Sequence, residues 1–291
     1  MNEPIDRTAG RAEMAEASVP TVAVHGARGS LPASGASMAR YGGETCCVEL
    51  RGGGGSIFLD AGSGIGAASA ARMAAGDTVL DVFLTHLHFD HICGLSFVAQ
   101  LGDPGGRVRV WTSERAGRCT GIDPGSEVTG PFRPPNFPIA LGDMPGSLEF
   151  HAVPEGEAVR VNAMTVTAEA LNHPGGSSGY RVEIAGRSFA YVTDHEPGGP
   201  ADDHALRLLR GADLALLDTT YTPEEADRHK GWGHGDWRAC GRLAERAGAR
   251  RWGLFHHHYL RDDAALDREG ERAAREFAGA FVAAAGMRLT L

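Results

Sequence analysis

Short apolar runs separated by glycine-rich connections dominate the chain from about residue 21 onward. Runs of this length, rich in β-branched residues, predict β-strands. In the first part of the chain the predicted strands are 21–26, 45–50, 57–62, 78–86 and 108–113. RGGGGS at 51–56 predicts a hairpin turn, because glycine readily adopts the left-handed backbone of tight hairpins. The first part of the chain therefore predicts a sheet.

The second part of the chain repeats this pattern. Strand follows strand from 147 to 196, and further strands are expected at 212–221 and 250–258. Alanine-rich or amphipathic segments predict helices at 64–75, 92–101, 202–210, 237–249 and 262–285. The two strand-rich parts, with no linker between them, predict one α/β domain over 20–291 in which two sheets lie between helix layers. The polar segment 1–19 predicts a disordered tail.

Composition and charge exclude several protein classes. The chain has 291 residues, with 28 Lys and Arg against 37 Asp and Glu, for a net charge of −9. No apolar run approaches the ~20 residues that a membrane helix needs, and no signal core is visible. We therefore expect a cytoplasmic protein with no membrane partner. The net acidity argues against a broad nucleic-acid-binding face.

Cysteine usage indicates reduced thiols. The five cysteines are irregularly spaced and form neither a disulfide framework nor a Cys-x-x-Cys metal motif. They are Cys46, Cys47, Cys93, Cys119 and Cys240. A catalytic thiol is disfavoured, because only Cys93 lies near histidines in the sequence, and there a metal would compete for them.

Histidines cluster directly after the apolar strand 78–86. The segment reads Thr-His-Leu-His-Phe-Asp-His over 85–91. His86 and His88 can share one direction on an extended strand exit, and Asp90 and His91 turn toward a second position at a helix start. Neutral imidazole suits Zn²⁺, and a carboxylate adds an oxygen ligand. The segment predicts a site for two metal ions; a plain polar loop is the alternative.

Two ions need further ligands, and the candidates lie at predicted strand ends. They are His173, Asp194 and His256. His173 could instead be a turn residue before Pro174, and Asp194 could cap a turn. Because neighbours on a strand point to opposite faces, only one or two of residues 256–258 face inward. We favour His256, the first after the apolar strand.

The order His86-x-His88-x-Asp90-His91, then His173, Asp194 and His256, resembles the metallo-β-lactamase-fold hydrolases from about residue 21 to 265. The resemblance implies an αββα sandwich of two mixed sheets between helix layers. By it, His86, His88 and His173 would hold one Zn²⁺ and Asp90, His91 and His256 the other. Asp194 would bridge the two ions, and Asp60 would be a structural residue beside the metal loop.

Two further segments are similar to the branch that contains ribonuclease Z and related phosphodiesterases. One is the opening 26–50; the other is Gly233-His234-Gly235, whose histidine in that branch approaches the scissile phosphate. Two departures matter. Asp236 stands where relatives often carry threonine, and no long Gly/Lys-rich tRNA-gripping arm is present. Together with the acidic charge, this disfavours large RNA as a partner.

The sequence thus predicts a dinuclear zinc-dependent phosphodiesterase acting on a small phosphodiester, such as a cyclic nucleotide, or on short RNA. A metal-bridging hydroxide would attack, Asp90 would orient it, and His234 would act as general acid. Mn²⁺ or Fe²⁺ could replace Zn²⁺, and relatives suggest a homodimer. The alternative is an acyl hydrolase of thioesters, lactones or β-lactams. A non-enzymatic metal-binding relic is disfavoured, because every ligand position is filled.

Several neighbouring residues carry weaker hypotheses. Segment 114–146 contains six prolines and predicts a cover loop over the site. Its Phe132, Arg133 and Phe137 could contact a nucleobase and a phosphate, or could simply pack on the sheet. Partners of the metal-binding histidines could come from Asp218, Thr219 and Tyr221. His195 is expected to support the site or to lie at the surface.

Overall fold

Two mixed β-sheets face each other in the computed structural model, which describes residues 19–113 and 124–291. The strands in this part of the chain are β1 Thr21–Gly26, β2 Arg28–Gly29, β3 Cys47–Gly52, β4 Gly55–Leu59, β5 Val79–Leu84, β6 Arg107–Ser113, β7 Ser147–Val153, β8 Ala158–Val161, β9 Met164–Leu171, β10 Ser177–Ile184, β11 Arg187–Val192, β12 Leu214–Asp218, β13 Trp252–Phe255, β14 His257–His258, β15 Ala280–Val282 and β16 Arg288–Thr290. The helices are α1 Ile65–Ala74, α2 Phe89–Ile92, α3 Pro124–Thr129, α4 Asp202–Leu209, α5 Pro223–Ala226, α6 Trp237–Ala247 and α7 Asp263–Glu276. Short 3₁₀ turns lie at Ala36–Met38, Leu95–Phe97, Ala99–Gly102, Leu141–Asp143 and Asp227–His229.

The two sheets have matching topologies. The first has the strand order β16-β1-β3-β4-β5-β6-β7 and the second β15-β13-β12-β11-β10-β9-β8. Each sheet is parallel on one side, β4 to β7 in the first and β11 to β15 in the second, and antiparallel on the other. β2 and β14 pair in parallel as a separate two-stranded sheet.

Three apolar clusters define four layers. One cluster joins residues of both sheets, and the other two pack helices and turns against the outer face of each sheet. β5 shows how one strand serves two layers: Phe83 belongs to the cluster between the sheets, whereas Leu80, Val82 and Leu84 face the outer cluster. A strand buried on both faces reads as a continuous apolar run. The predicted αββα sandwich is therefore confirmed.

The hairpin predicted at 51–56 joins β3 to β4. Gly53 and Gly54 occupy its turn with φ of +56° and +80°, the left-handed region that glycine tolerates. Cys46 and Cys47 before and at the start of β3 are both fully buried. Among the described residues, the cysteines are all free thiols.

Two helix predictions were too long. The helix expected at 262–285 ends at Glu276, since Gly279 adopts φ of +78° and the chain returns as β15 beside β13. The helix expected at 92–101 is the end of the single turn α2 followed by 3₁₀ turns. A β-carbon at Gly94 would lie 2.2 Å from the carbonyl oxygen of Gly62, so the chain at Gly94 passes close to the backbone that follows β4.

Parts of two predicted segments fall outside the described residues. These are the tail at 1–18 and the section 114–123 of the cover loop. The remainder of the cover segment contains α3 and a 3₁₀ turn. Among the helices described, none combines the length and the apolar character that spanning a membrane requires.

Candidate metal centre and active site

The carboxyl ends of strands from both sheets meet at one edge of the sandwich. The segment 85–91 follows β5, His173 follows β9, Asp194 follows β11, and His256 follows β13. Sheet edges at the carboxyl ends of strands are where α/β folds place their ligand sites. This arrangement brings all seven of the predicted metal-binding residues together, although 170 positions separate the first from the last.

The first candidate ligand group consists of His86, His88 and His173. Their ligand atoms all lie within 4.8 Å of one another, and the Nε2 of His173 is 3.1 Å from the Nδ1 of His88. Burial lowers the pKa of each of these imidazoles. They are therefore neutral at pH 7, the protonation state that binds divalent metals.

The second candidate ligand group consists of Asp90, His91 and His256. The Asp90 Oδ2 lies 3.2 Å from the Nε2 of His91 and 3.3 Å from the Nε2 of His256. The same oxygen accepts a hydrogen bond of 2.7 Å from the backbone N–H of Ser30. Burial acts to raise the pKa of Asp90, but His91 and His256 hold it well below its usual range. The carboxylate is therefore ionised.

Asp194 lies between the two groups. Its Oδ2 is 3.2 Å from the Nε2 of His91, and its Oδ1 is 3.4 Å from that of His256. On the other side, Oδ1 is 3.7 Å from the Nε2 of His173 and 3.9 Å from that of His86. This carboxylate can therefore contact ions held by either group.

Buried imidazole nitrogens without partners test whether the site fits a metal. The Nε2 atoms of His86, His91 and His256 are buried and have no hydrogen-bond partner among the described residues. A buried polar atom left in this state costs free energy. All three atoms face carboxylate oxygens across gaps of 3.2–3.9 Å. Such a donor set of imidazoles and carboxylates fits a divalent metal.

Outer hydrogen bonds orient the ligands of the second group. The Nδ1 of His91 lies 2.8 Å from Asp60, which also accepts from the backbone N–H of Thr85 and the hydroxyl of Tyr191. The Nδ1 of His256 lies 2.8 Å from the hydroxyl of Thr220. Partners of this kind fix the ring orientation and tautomer of a metal-binding histidine.

The first group is oriented in the same way. The Nδ1 of His86 lies 3.0 Å from the hydroxyl of Thr85. The Nδ1 of His173 donates to the carbonyl oxygen of Gly233 at 2.8 Å. Gly233 has φ of +83°, and a β-carbon there would lie 2.3 Å from the His173 ring. Glycine is therefore required for this close approach.

Strained backbone is concentrated at the centre. Asp60, Asp194 and His256 have φ of +60°, +55° and +57°, in the left-handed region that non-glycine residues rarely adopt. Each such residue costs on the order of 1–3 kcal/mol, and such residues collect at functional sites. The fold therefore holds these three side chains in place at a cost in stability.

His234 lies beside Asp194 at the edge of the centre. Its Nδ1 is 2.8 Å from the Asp218 Oδ2 and 3.8 Å from the Asp194 Oδ1. Burial acts to lower the pKa of His234, but the charges of Asp218, Asp194 and Asp90 raise it to about 9. With Nδ1 directed at Asp218, a protonated ring keeps its second N–H for another acceptor.

By distance alone His234 could also be a ligand. Its nitrogen and ligand atoms of Asp194, Asp218 and His256 all lie within 4.8 Å of one another. Asp218, however, already accepts a hydrogen bond from His234 and, through its other oxygen, two from the N–H and hydroxyl of Thr220. We therefore interpret Asp218 as the hydrogen-bond partner of His234.

Comparison with known proteins establishes the family. A model described as the beta-lactamase superfamily domain matches residues 56–257. The chain belongs to this superfamily. This confirms the prediction that the chain is one of the metallo-β-lactamase-fold hydrolases. The chain is therefore a metal-dependent hydrolase.

Individual relatives cover most of the chain. It is 26% identical to a ribonuclease Z of Natronomonas pharaonis over 79% of this chain and 87% of the relative. Its fold is similar to that of the metallo-beta-lactamase fold protein YhfI from Bacillus subtilis, with a TM-score of 0.70 and 20% identity over 94% and 99% of the two chains. A diphosphatase of the PhnP family gives a TM-score of 0.66 and 22% identity over 94% and 98%.

The positions of residues around the candidate metal centre differ from some of the sequence predictions. Asp218 does contact a site histidine, but Thr219 does not: its hydroxyl bonds the carbonyl of Phe255, and Thr220 contacts His256 instead. Strand alternation from Asp218 would have selected Thr220. His195 is not at the surface; it is buried and bonded to the backbone of Asn172.

The packing interpretation holds for Phe132. Its side chain is buried in the outer cluster of the first sheet, and its ring stacks on that of Phe89. Phe137 contacts the rings of Phe132 and Phe97. Arg133 is exposed.

The sequence analysis did not predict that two residues, Cys46 and Glu196, lie near the candidate metal centre. The Cys46 sulfur lies within 4.8 Å of ligand atoms of His91 and His256, but burial raises the pKa of this thiol well above its usual range. It therefore stays neutral, as expected for a non-catalytic cysteine. The Glu196 carboxylate accepts from the N–H groups of Gly231 and Gly233 at 2.8 Å. Glu196 thereby anchors the loop that carries His234 and supports His173.

Proposed function

We propose that the chain is a dinuclear zinc-dependent phosphodiesterase that acts on a small phosphodiester, such as a cyclic nucleotide, or on a short RNA. The observation that carries the proposal is the His234–Asp218 pair beside Asp194. A cationic histidine here has a clear task on an anionic phosphate and less to do on an acyl group. The names of the relatives, a ribonuclease and a diphosphatase, support the same reaction class.

Two Zn²⁺ ions fit the two ligand groups. His86, His88 and His173 would hold one ion, Asp90, His91 and His256 the other, and Asp194 would contact both. Mn²⁺ or Fe²⁺ would also suit the oxygen-richer second group. A metal pair lowers the pKa of water and withdraws charge from a phosphoryl oxygen.

The side chains of the protein supply the remaining steps. Asp90 is ionised and accepts from the N–H of Ser30, and we propose that it also accepts a hydrogen bond from the attacking water. Asp218 holds His234 protonated through Nδ1, so that the opposite N–H of the ring donates to a phosphoryl oxygen or to the leaving oxygen. Replacing water around the phosphate with these fixed donors stabilises the charge that develops as the ester bond breaks.

The proposed size of the substrate rests on composition. The net charge of −9 and the lack of a Gly/Lys-rich arm favour a small or short substrate over a large RNA. A homodimer and a cytoplasmic location remain predictions.

A substrate comparison tests the proposed reaction. The zinc-loaded protein is assayed with bis-p-nitrophenyl phosphate, with nitrocefin and with a lactone. We expect turnover of the phosphodiester and little turnover of the other two. Turnover of nitrocefin or the lactone without phosphodiester activity would overturn the proposal in favour of an acyl hydrolase.

A further inference from the structure

A cavity of about 410 Å³ adjoins the centre on the side of His234. Tyr221, His229 and His258 contribute its aromatic lining, and Arg268 contributes a cation. The Tyr221 ring lies 6.0 Å from the His234 ring, centroid to centroid. One aromatic ring therefore separates this cavity, which has the size of a small-molecule site, from the proposed general acid.

The aromatic lining is built as a rigid platform. The rings of Tyr221 and His229 are stacked with centroids 4.1 Å apart and planes inclined by 7°. The Nδ1 of His229 donates to the carbonyl oxygen of Glu225 at 2.9 Å, which fixes the imidazole. Aromatic faces of this kind stack on nucleobases irrespective of base identity.

Of the two arginines among the described residues that line the cavity, one is free to contact a ligand. Arg261 is paired with Glu225, and the side chain of Asp262 caps α7 by accepting from the N–H of Ala265. Arg268 is exposed and makes no ion pair within the described residues 19–113 and 124–291. A guanidinium beside an aromatic wall is a phosphate-binding arrangement.

We propose that this cavity binds one nucleoside of the substrate. The base stacks on the half-buried His229 ring, which the buried Tyr221 ring supports from behind, and Arg268 pairs with a second phosphate carried by that nucleoside. The proposal rests on the proposed phosphodiesterase function and narrows it. A cyclic mononucleotide has one phosphate, which the metal centre would occupy, whereas a short oligonucleotide offers a further phosphate to Arg268.

Equilibrium binding of product-like nucleotides tests the cavity. Isothermal titration of the zinc-loaded full chain compares thymidine 3′,5′-bisphosphate, thymidine 5′-monophosphate and inorganic phosphate. We expect the bisphosphate to bind about tenfold tighter than the monophosphate, as for a hydrogen bond to a charged group. Arg268→Gln removes this preference, and Arg275→Gln, an exposed arginine farther along α7, keeps it.

A second variant separates stacking from charge. His229→Ala weakens the binding of both nucleotides about tenfold, because a stacking contact is lost. The affinity for inorganic phosphate stays unchanged, because inorganic phosphate binds at the metal centre only. Equal affinity of the wild-type protein for bisphosphate and monophosphate overturns the proposal, as does a preference that survives Arg268→Gln.

The outcome is distinguishable from failure of the proposed function. Hydrolysis of thymidine 5′-p-nitrophenyl phosphate is measured on the same preparations. Arg268-dependent binding without hydrolysis supports the cavity and rejects the phosphodiesterase. Hydrolysis with no dependence of nucleotide binding on Arg268 or His229 rejects the cavity and leaves the phosphodiesterase intact.

Discussion

The carboxylate of Asp218, at the end of β12, lies 2.8 Å from the imidazole Nδ1 of His234, in the turn before α6. Asp218 is fully buried and its second oxygen is held by Thr220. Asp236, the departure from the relatives' motif, follows in the same turn and accepts from two N–H groups at the start of α6. The histidine is thus fixed at both ends, by its carboxylate partner and by a capped helix.

His234→Ala should abolish turnover without releasing metal. General acid catalysis contributes about 10²–10⁴-fold, so we expect kcat to fall by at least about 100-fold. Metal content is measured by elemental analysis of the same sample. His151→Ala, a change on β7, serves as the control and should leave both quantities unchanged. Loss of an ion from the His234 variant would make His234 a ligand.

Asp218→Asn should act through His234. Asparagine keeps an oxygen for Thr220 but removes the charge that stabilises the protonated imidazole, so we expect kcat to fall. In the double variant with His234→Ala, the two losses should not add, because both remove the same function. A double-variant kcat equal to the product of the two separate losses would contradict this coupling.

Glu196→Ala should weaken metal binding at the first ligand group. Glu196 holds the N–H of Gly233, whose carbonyl oxygen orients His173. Loss of such an outer hydrogen bond typically costs about 10–100-fold in metal affinity. Chelator competition measures it, with Glu183→Ala, an exposed residue on β10, as the control. Glu196→Gln, which keeps one acceptor oxygen, should give a smaller loss.

Glu225 should make stability depend on acid pH. Burial acts to raise its pKa, but Arg261 and the N–H of Thr222 lower it to about 2, from 4.5 in an unfolded chain. Its stabilisation is therefore fully present above about pH 4.5 and is lost as the pH falls toward 2.

Urea unfolding of the metal-free protein and of Glu225→Gln checks this sign. We expect the variant to be less stable by about 1 kcal/mol at pH 6, and the difference to shrink as the pH falls below 4.5. A difference that stays constant between pH 6 and pH 3 would show that the Glu225 charge does not contribute. Glu271→Gln, at an exposed pair on α7, should change stability little at either pH.

Much of the site could be placed from the sequence because it lies at strand ends. The apolar strand before His86 required that the following residues emerge at a sheet edge. His256 was favoured over its two neighbours because it comes first after the apolar strand, and in the structure His257 instead donates to the carbonyl oxygen of Ala283. These signals are local to one strand and therefore visible in one dimension.

The remaining features depend on contacts between distant segments. Cys46 approaches His91 because β3 pairs with β4 and β4 pairs with β5, the strand before His91. The early end of α7 depends on the close packing of Gly279 against the backbone of Arg250. Glu196 anchors glycines 35 and 37 positions away. None of these pairings has a periodic signal, so residue spacing alone does not predict them.

Metal stoichiometry tests the central claim most directly. The claim is that imidazoles and carboxylates from four segments, after β5, β9, β11 and β13, form a centre for two divalent ions. Elemental analysis of the purified protein after zinc loading and removal of free metal should give two ions per chain, falling to one or fewer in Asp194→Ala. Less than one ion per chain in the wild-type protein would contradict the account.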